Sequence, residues 1–221
     1  LPHLLPYLGN TPTRTTGVDM LQTRILPSAE NAHASPLLIK SLLLSGVRYE
    51  KNREIIYRNQ LRYSYATFVE RVARLANVLT EMGVKAGDTV AVMDWDSHRY
   101  LECMFAVPML GAVLHTINVR LSPEQILYTM NHADDRFVLV NSDFVELYAG
   151  LKASLATVER TLLLSDADSP VVELVDSVGE YEALLAAAKR TYQSADFDEN
   201  SVATTFYTAG TTGNPKGVYF T

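Results

Sequence analysis

Residues 89–140 read TVAVMDWDSHRYLECMFAVPMLGAVLHTINVRLSPEQILYTMNHADDRFVLV, and short apolar runs alternate in them with longer amphipathic segments. Strand candidates begin near Thr89, Val113 and Arg136, and a fourth begins near Thr161. Successive starts are 24, 23 and 25 residues apart, about the length of one strand plus one helix. This alternation predicts an α/β fold, in which flanking helices cover a wound, mostly parallel sheet.

Capping residues mark where helices of this fold begin. Ser97 precedes the first intervening helix, and Ser122-Pro123-Glu124-Gln125 precedes the second. Proline suits the first helical position, and a glutamine three residues after a serine cap completes a capping box. Ser64 precedes an earlier helix, whose apolar residues are spaced by four and three and form one stripe. That stripe consists of Phe68, Val72, Leu75, Leu79 and Met82.

The N-terminal part of the chain follows a different pattern. Residues 1–35 are predicted to be an arm or extension, because prolines interrupt any helix there. Two interpretations stay open. Either Met20 is the natural start of the protein and the residues before it are extra, or the arm is an ordinary ordered N-terminal segment. Ser35 and Pro36 then predict a helix start. Residues 54–58 and 61–64 are β-rich and predict a hairpin.

Composition excludes several classes of protein. The 221 residues contain 19 Lys and Arg against 25 Asp and Glu, a net charge of −6, which argues against a general nucleic-acid binder. The single cysteine, Cys103, excludes a disulfide framework and fits a cytoplasmic location. The longest apolar run, residues 103–114, is shorter than the roughly 18–20 residues of a membrane span. No signal-peptide pattern is present at the N-terminus.

The strongest chemical signal is the segment TAGTTGNPKG at residues 208–217, which follows a predicted strand over residues 202–207. Its glycines let the backbone approach a ligand closely, and its amides can form a nest for anions. Threonine hydroxyls add donors, and Lys216 adds a mobile positive charge. The segment therefore predicts a site for polyphosphate. It is not a P-loop of the G-x-x-x-x-G-K type, because Pro215 precedes the lysine. A flexible turn between two strands is the alternative interpretation.

The segment YTAGTTGNPKGV, residues 207–218, resembles the phosphate-binding loop of the adenylate-forming, or AMP-binding, superfamily. Ala209 departs from that pattern, in which a small residue, often one with a hydroxyl, is usual. Residues 111–140 resemble the same superfamily through an N-x-R-L segment followed by a helix that starts near Pro123. The resemblance is closest to bacterial medium- and long-chain fatty acyl-CoA ligases. The matching loop residues are Thr208, Gly210, Thr211, Thr212, Gly213, Pro215, Lys216 and Gly217.

The resemblance implies an ATP-dependent acid–thiol ligase of lipid and fatty acid metabolism. In such enzymes a carboxylate attacks the α-phosphate of ATP, which gives acyl-AMP and pyrophosphate, and the thiol of CoA then takes the acyl group. The implied cofactors are ATP, Mg²⁺ and CoA. Thr208 is the implied metal-binding residue, through its hydroxyl. The implied nucleotide-binding residues are Thr208, Ala209, Gly210, Thr211, Thr212, Gly213 and Lys216.

The same resemblance places the adenine and ribose contacts, an acidic Mg²⁺ ligand and a catalytic lysine downstream of this loop. We therefore expect residues 36–221 to be the N-terminal part of an AMP-binding domain, truncated after the phosphate loop, with no catalytic residue of its own. The alternative is a nucleotide- or phosphate-binding α/β module without catalysis. A fatty acid or another small carboxylate is the expected partner, and peripheral membrane contact and a homodimer stay open.

Several other reactive side chains are assigned structural roles. Asp94, Asp96 and His98 follow a strand, and we interpret them as part of a strand-to-helix turn rather than as metal ligands. His115 lies in an apolar strand and is predicted to be a hydrogen-bonded core residue. Cys103 has no basic neighbour in the sequence and is predicted to be an inert thiol. Tyr207, where the loop begins, is left with two interpretations: it packs on a nucleotide, or it ends a strand.

Overall fold

The computed structural model describes residues 29–33, 35–166, 175–208 and 213–221. It divides the chain into two units, Leu1–Ser35 and Pro36–Thr221, and every helix and strand named below lies in the second unit. In the first unit, the backbone N–H of Ala32 donates to the carbonyl of Ala29 over 2.9 Å. Most of the predicted arm, residues 1–28 and residue 34, lies outside the described residues, so its interpretation remains a prediction.

Six helices and eight strands are described in the second unit, with a 3-10 turn at Ser142–Phe144. The helices are α1 (Ile39–Glu50), α2 (Tyr65–Glu81), α3 (His98–Met109), α4 (Pro123–His132), α5 (Val145–Lys152) and α6 (Tyr181–Ala187). The strands are β1 (Glu54–Tyr57), β2 (Leu61–Ser64), β3 (Thr89–Met93), β4 (Val113–Thr116), β5 (Asp135–Asn141), β6 (Arg160–Leu164), β7 (Thr204–Thr208) and β8 (Lys216–Phe220).

The main sheet has six strands in the order β6-β5-β3-β4-β7-β8. Its first five strands run parallel, and β8 pairs antiparallel with β7. After β4 the chain crosses back over β3 to form β5, so the direction of winding reverses between β3 and β4. The predicted wound, mostly parallel sheet is therefore confirmed. Strands β1 and β2 form a separate antiparallel hairpin, also as predicted.

Helices cover both faces of the sheet, and alternate residues of each strand supply the two cores. On β3, Val90 and Val92 join a cluster with α2, α3 and α6, whereas Ala91 and Met93 join a cluster with α4 and α5. All four side chains are fully buried. Burial on both faces is typical of parallel sheets, and it explains the continuous apolar run TVAVM. Of the helices that the structure describes, none is long and apolar enough to cross a bilayer.

The predicted helix starts are confirmed at three of four places. Ser64 and Ser97 accept hydrogen bonds from backbone N–H groups of the first turns of α2 and α3, and Ser122 forms the full capping box of α4. The fourth prediction, a start at Ser35-Pro36, is wrong. Helix α1 begins at Ile39, and Leu38 before it is extended. A distant contact explains this difference, because the N–H of residue 37 donates to the carboxylate of Glu199 over 2.6 Å.

A fully buried carboxylate, that of Glu102 on α3, joins three other elements on the first face of the sheet. It accepts hydrogen bonds from the hydroxyl of Tyr63 over 2.9 Å and from the hydroxyl of Tyr181 over 2.6 Å. It also accepts from Nε of Arg71 over 2.6 Å. Because one carboxylate satisfies donors from β2, α2 and α6, its loss would leave several buried polar groups without partners.

A second carboxylate, that of Glu182 at the start of α6, extends this network toward solvent. Both terminal nitrogens of Arg71 lie 2.9 Å from its oxygens, and Nε of Arg99 lies 3.2 Å away. Nε2 of His98 is 3.4 Å from the same carboxylate, and Arg99 also binds Asp166 over 3.0 Å. The network therefore holds α6 against α2 and α3 through charged groups rather than through apolar packing alone.

Replacing Glu102 should strongly destabilise the fold. We expect Glu102→Ala to lower the free energy of unfolding by about 2–4 kcal/mol, because the buried hydroxyl of Tyr181 would lose its acceptor and Arg71 would lose one of its two carboxylate partners. The control is Glu70→Ala, which removes a partly exposed pair between Glu70 and Arg74 on α2, four residues apart. That change should cost about 0.5 kcal/mol or less. Urea unfolding compares the two variants, and equal losses would contradict the role assigned to Glu102.

The Glu182 contacts should also appear in acid unfolding. Burial by itself raises the pKa of Glu182, but the hydrogen bond with His98 and the contacts with Arg71 and Arg99 outweigh it and hold that pKa well below its usual range. A carboxyl with a depressed folded-state pKa stabilises the fold above its unfolded pKa of about 4.3, and this contribution is lost as pH falls further.

We therefore expect Glu182→Gln to be less stable than the wild type at neutral pH, and the difference to shrink from about pH 5 toward about pH 2. Denaturant midpoints measured along this pH series provide the test. A difference that stays constant with pH would show that Glu182 acts through packing and not through its charge.

Candidate functional site

The predicted phosphate loop connects β7 to β8, and its two ends lie side by side. Thr208 ends β7, Lys216 begins β8, and these two residues are direct partners in the antiparallel register. Directly opposed residues of an antiparallel pair project from the same face of the sheet. Both side chains are exposed. Of the seven predicted nucleotide-binding residues, the structure therefore places Thr208 and Lys216 together.

The remaining five loop residues divide into two groups. Gly213 is described, and its φ of +96° is a conformation that favours glycine, with no atom within 4 Å of an added Cβ. Ala209, Gly210, Thr211 and Thr212 lie outside the described residues. Their role in phosphate binding remains a prediction from the sequence.

The two ends of the loop lie at the edge where the parallel strands of the sheet have their carboxyl ends. Thr208 is at the carboxyl end of β7, and β7 pairs in parallel with β4. The winding direction reverses between β3 and β4, and β4 lies next to β7 in the sheet. In open α/β sheets, ligands bind outside the carboxyl ends of the strands at such a reversal. The arrangement can therefore present an ammonium group and a hydroxyl to an anionic ligand at this edge.

Tyr207, the residue immediately before the loop, is buried. Its hydroxyl lies 2.7 Å from Nδ1 of His132, the last residue of α4. Its ring faces Gly217 on β8, where an added Cβ would lie 3.2 Å from Cζ of the tyrosine. The sequence left two interpretations of Tyr207 open, and the structure shows a buried strand residue. Its bond to His132 gives no signal in the sequence, because 75 residues separate the partners.

Next to Tyr207 lies a buried pair of titratable groups. Nδ1 of His115 is 2.9 and 3.0 Å from the two oxygens of Asp135, and the His115 ring centre is 5.1 Å from that of Tyr207. Burial raises the pKa of Asp135, and the contact with His115 opposes this shift. The prediction that His115 is a hydrogen-bonded core residue is confirmed.

The other reactive side chains have structural partners. Asp94 accepts a hydrogen bond from Nδ2 of Asn141 over 2.6 Å and another from Ser97, whereas His98 lies beside Glu182. Within the described part of the chain, no group of three His, Cys, Asp or Glu residues is arranged to hold a metal ion. Cys103 is fully buried, and burial raises the pKa of its thiol well above the usual value. This thiol is therefore protonated and poorly nucleophilic at neutral pH.

Two solved structures with a similar fold are described as CoA ligases. The chain superimposes with a TM-score of 0.73 and 20% identity on the anthranilate CoA ligase AuaEII in complex with anthranoyl-AMP, over 81% of this chain and 33% of that one. For a putative long-chain-fatty-acid CoA ligase from Rhodopseudomonas palustris, the TM-score is 0.70 at 21% identity, over 83% and 44% of the two chains. At these identities the likeness establishes the fold.

The sequence establishes the family. The sequence model of the AMP-binding enzyme family matches residues 45–221, and this chain belongs to that family. It is 35% identical over 189 residues to the 3-methylmercaptopropionyl-CoA ligase of Ruegeria pomeroyi, covering 84% of this chain and 35% of the relative. It is 37% identical over 188 residues to the medium-chain-fatty-acid–CoA ligase of Ectopseudomonas oleovorans, covering 83% and 34%. The chain thus spans about a third of the length of these relatives, and the resemblance inferred from the loop is confirmed.

The contact between Gly217 and Tyr207 predicts that the loop does not tolerate a larger residue at position 217. Gly217→Ala should destabilise the fold by about 1–3 kcal/mol, because the ring of Tyr207 would have to shift away from a Cβ only 3.2 Å from its Cζ atom. Gly150→Ala is the matched control, since the added Cβ on α5 meets no atom within 4 Å. That change should stabilise the fold by about 0.5–1 kcal/mol through helix propensity. Thermal unfolding compares the variants, and a stabilised Gly217→Ala would contradict the packing described.

Proposed function

We propose that the full-length gene product is an ATP-dependent acid–thiol ligase. It converts a fatty acid or another small carboxylate into an acyl-AMP with release of pyrophosphate, and then transfers the acyl group to the thiol of CoA. The observation that carries this proposal is the pairing of Thr208 with Lys216 at the carboxyl edge of the sheet, in a chain of the AMP-binding enzyme family. The names of its relatives, which are CoA ligases of small carboxylic acids, support the substrate class.

The two placed side chains have complementary tasks in this proposal. The ammonium of Lys216 neutralises charge on the β- and γ-phosphates, which leave together as pyrophosphate. The hydroxyl of Thr208 projects from the same face of the sheet. It can donate a hydrogen bond to the same phosphates, or coordinate a metal ion bound to them. Positioning and charge neutralisation are the main contributions a protein makes to phosphoryl-type chemistry. The amides of residues 209–213 would complete the nest.

Magnesium fits the donor set at this edge. An exposed hydroxyl oxygen beside bound phosphate oxygens is the hard ligand environment that Mg²⁺ prefers. When bound, Mg²⁺ supplies further neutralisation of phosphate charge. Thr208 is the residue of this chain that would hold it. We propose that the residues that contact adenine, ribose and CoA lie outside residues 36–221, which form the N-terminal part of the AMP-binding domain. ATP and CoA, the proposed co-substrates, are compatible with a cytoplasmic location.

Removing the charge of Lys216 tests this assignment. In the full-length gene product, Lys216→Ala should raise the KM for ATP by about tenfold to a hundredfold, which corresponds to the loss of a charge-assisted hydrogen bond. The KM for the carboxylate should change by less than about threefold, because this side chain contacts phosphate only. ATP–pyrophosphate exchange measures both constants, with a medium-chain fatty acid and 3-methylmercaptopropionate as the acids.

The control for this experiment is Lys152→Ala. Lys152 is the last residue of α5 and therefore lies toward the amino-terminal edge of the sheet, away from the loop. Its replacement should leave both Michaelis constants unchanged. Equal behaviour of the two variants would show that Lys216 is an ordinary surface lysine. Binding of ATP by the wild type without any exchange would instead support a nucleotide-binding module that has no catalysis of its own.

A further inference from the structure

On the α4 face of the sheet, the hydroxyl of Tyr207 connects β7, one of the two strands that carry the ends of the phosphate loop, to helix α4. Tyr207 lies between Phe206 and Thr208 in β7, and its side chain points to the face of the sheet that α4 covers. Its hydroxyl is 2.7 Å from Nδ1 of His132, at the C-terminal end of that helix. The rings of these two residues meet edge to face, with centres 5.7 Å apart.

The same side chain also contacts the opposite strand. Tyr207 is the register partner of Gly217, and the missing side chain at that position lets the ring lie against β8. The tyrosine therefore touches both strands that enter the loop and the helix beneath them. Because Thr208 follows Tyr207 directly and pairs with Lys216, any displacement of the ring moves both proposed phosphate-binding side chains together.

The side chains of His132 and Tyr207 also pack against other aromatic residues. The ring of Tyr128, one turn earlier on α4, packs against His132 with centres 5.5 Å apart. His115, fixed by Asp135, packs against Tyr207 from β4. Such locking by packing and by hydrogen bonds is what keeps a binding group within a fraction of an ångström of its working position.

We propose that His132 and Tyr207 are positioning residues that act through their mutual hydrogen bond and hold Thr208 and Lys216 in register for polyphosphate binding. This inference rests on the proposed function, because it concerns the same site. Neither residue touches the nucleotide in this proposal. Their contribution is geometric preorganisation, which lowers the entropic cost of binding ATP.

The hydroxyl is suited to this role because it stays protonated. Burial, followed by the effect of the neighbouring Tyr219, raises the pKa of Tyr207. A neutral hydroxyl keeps both a hydrogen to donate and lone pairs to accept with, so the bond to the imidazole persists over the ordinary pH range. The aromatic neighbours of His132 restrict where its Nδ1 can lie, and the position of the hydroxyl is restricted with it.

The test uses the full-length gene product and ATP–pyrophosphate exchange. Tyr207→Phe and His132→Leu each remove the hydrogen bond from one side and keep an apolar side chain in the space. Each should raise the KM for ATP by about three- to tenfold, the ratio that corresponds to one neutral hydrogen bond. The KM for the carboxylate and kcat should stay within about twofold, because the reacting groups themselves are unchanged. The double variant should show no further increase.

Two controls separate positioning from a general loss of stability. Tyr148→Phe removes another buried hydroxyl, which lies 2.7 Å from Oγ1 of Thr161 on β6, at the far end of the sheet. It should lower the melting temperature in the same way as Tyr207→Phe and leave the KM for ATP unchanged. His132→Asn retains a polar group close to where Nδ1 lies, and it should restore most of the affinity for ATP that His132→Leu loses.

The outcomes distinguish this inference from the proposed function. If Lys216→Ala is impaired while Tyr207→Phe and His132→Leu match Tyr148→Phe, the ligase stands and the positioning role is wrong. If Tyr207→Phe does not fold, the contrast between His132→Leu and His132→Asn decides, and equal KM values for these two variants overturn the inference. If the wild type shows no exchange with any acid tried, the proposed function and the inference both fall.

Discussion

Strands β3 and β4 lie at the centre of the sheet, and most of their residues are buried. Each buried N–H and C=O must therefore find a partner on a neighbouring strand, and helices must cover both faces. Helix α3 passes over one face and α4 over the other, and β5 and β6 are added beyond β3, whereas β7 and β8 are added beyond β4. The direction of winding therefore reverses at this central pair, and β7 lies beside β4.

The two faces of the sheet are stabilised by different kinds of polar interaction. On one face, Glu102 and Glu182 join α2, α3 and α6 through arginines and tyrosines. Breaking a buried ion pair is costly, so this network specifies how the helices pack more than it adds net stability. On the other face, His115, His132 and Tyr207 are in contact beside Thr208, the residue that ends β7. The first network holds the scaffold together, and the second borders the site.

Fold and function are supported by different observations. The likeness to solved CoA ligases at about 20% identity establishes the architecture, and one architecture can host several chemistries. The match of residues 45–221 establishes the family. The proposed chemistry rests on two groups only, the ammonium of Lys216 and the hydroxyl of Thr208, which lie at adjacent strand ends. The chain spans about a third of the length of its curated relatives, and in the proposed function these two groups bind one end of the triphosphate.

The sequence alone determined the order and type of the elements, because apolar periodicity, serine caps and glycine-rich turns are local signals. It placed β3, β4, β5 and β6 within about a residue, and it identified the loop from residue types that suit phosphate. It misplaced the start of α1, where a contact with Glu199, 162 residues away, replaces the predicted cap. Only the tertiary structure brought His132 to Tyr207 and Glu102 to Tyr181, since nothing local in the chain specifies which distant donor meets a buried acceptor. Long-range pairing follows from the packing of whole elements, and packing is decided only when the chain has folded.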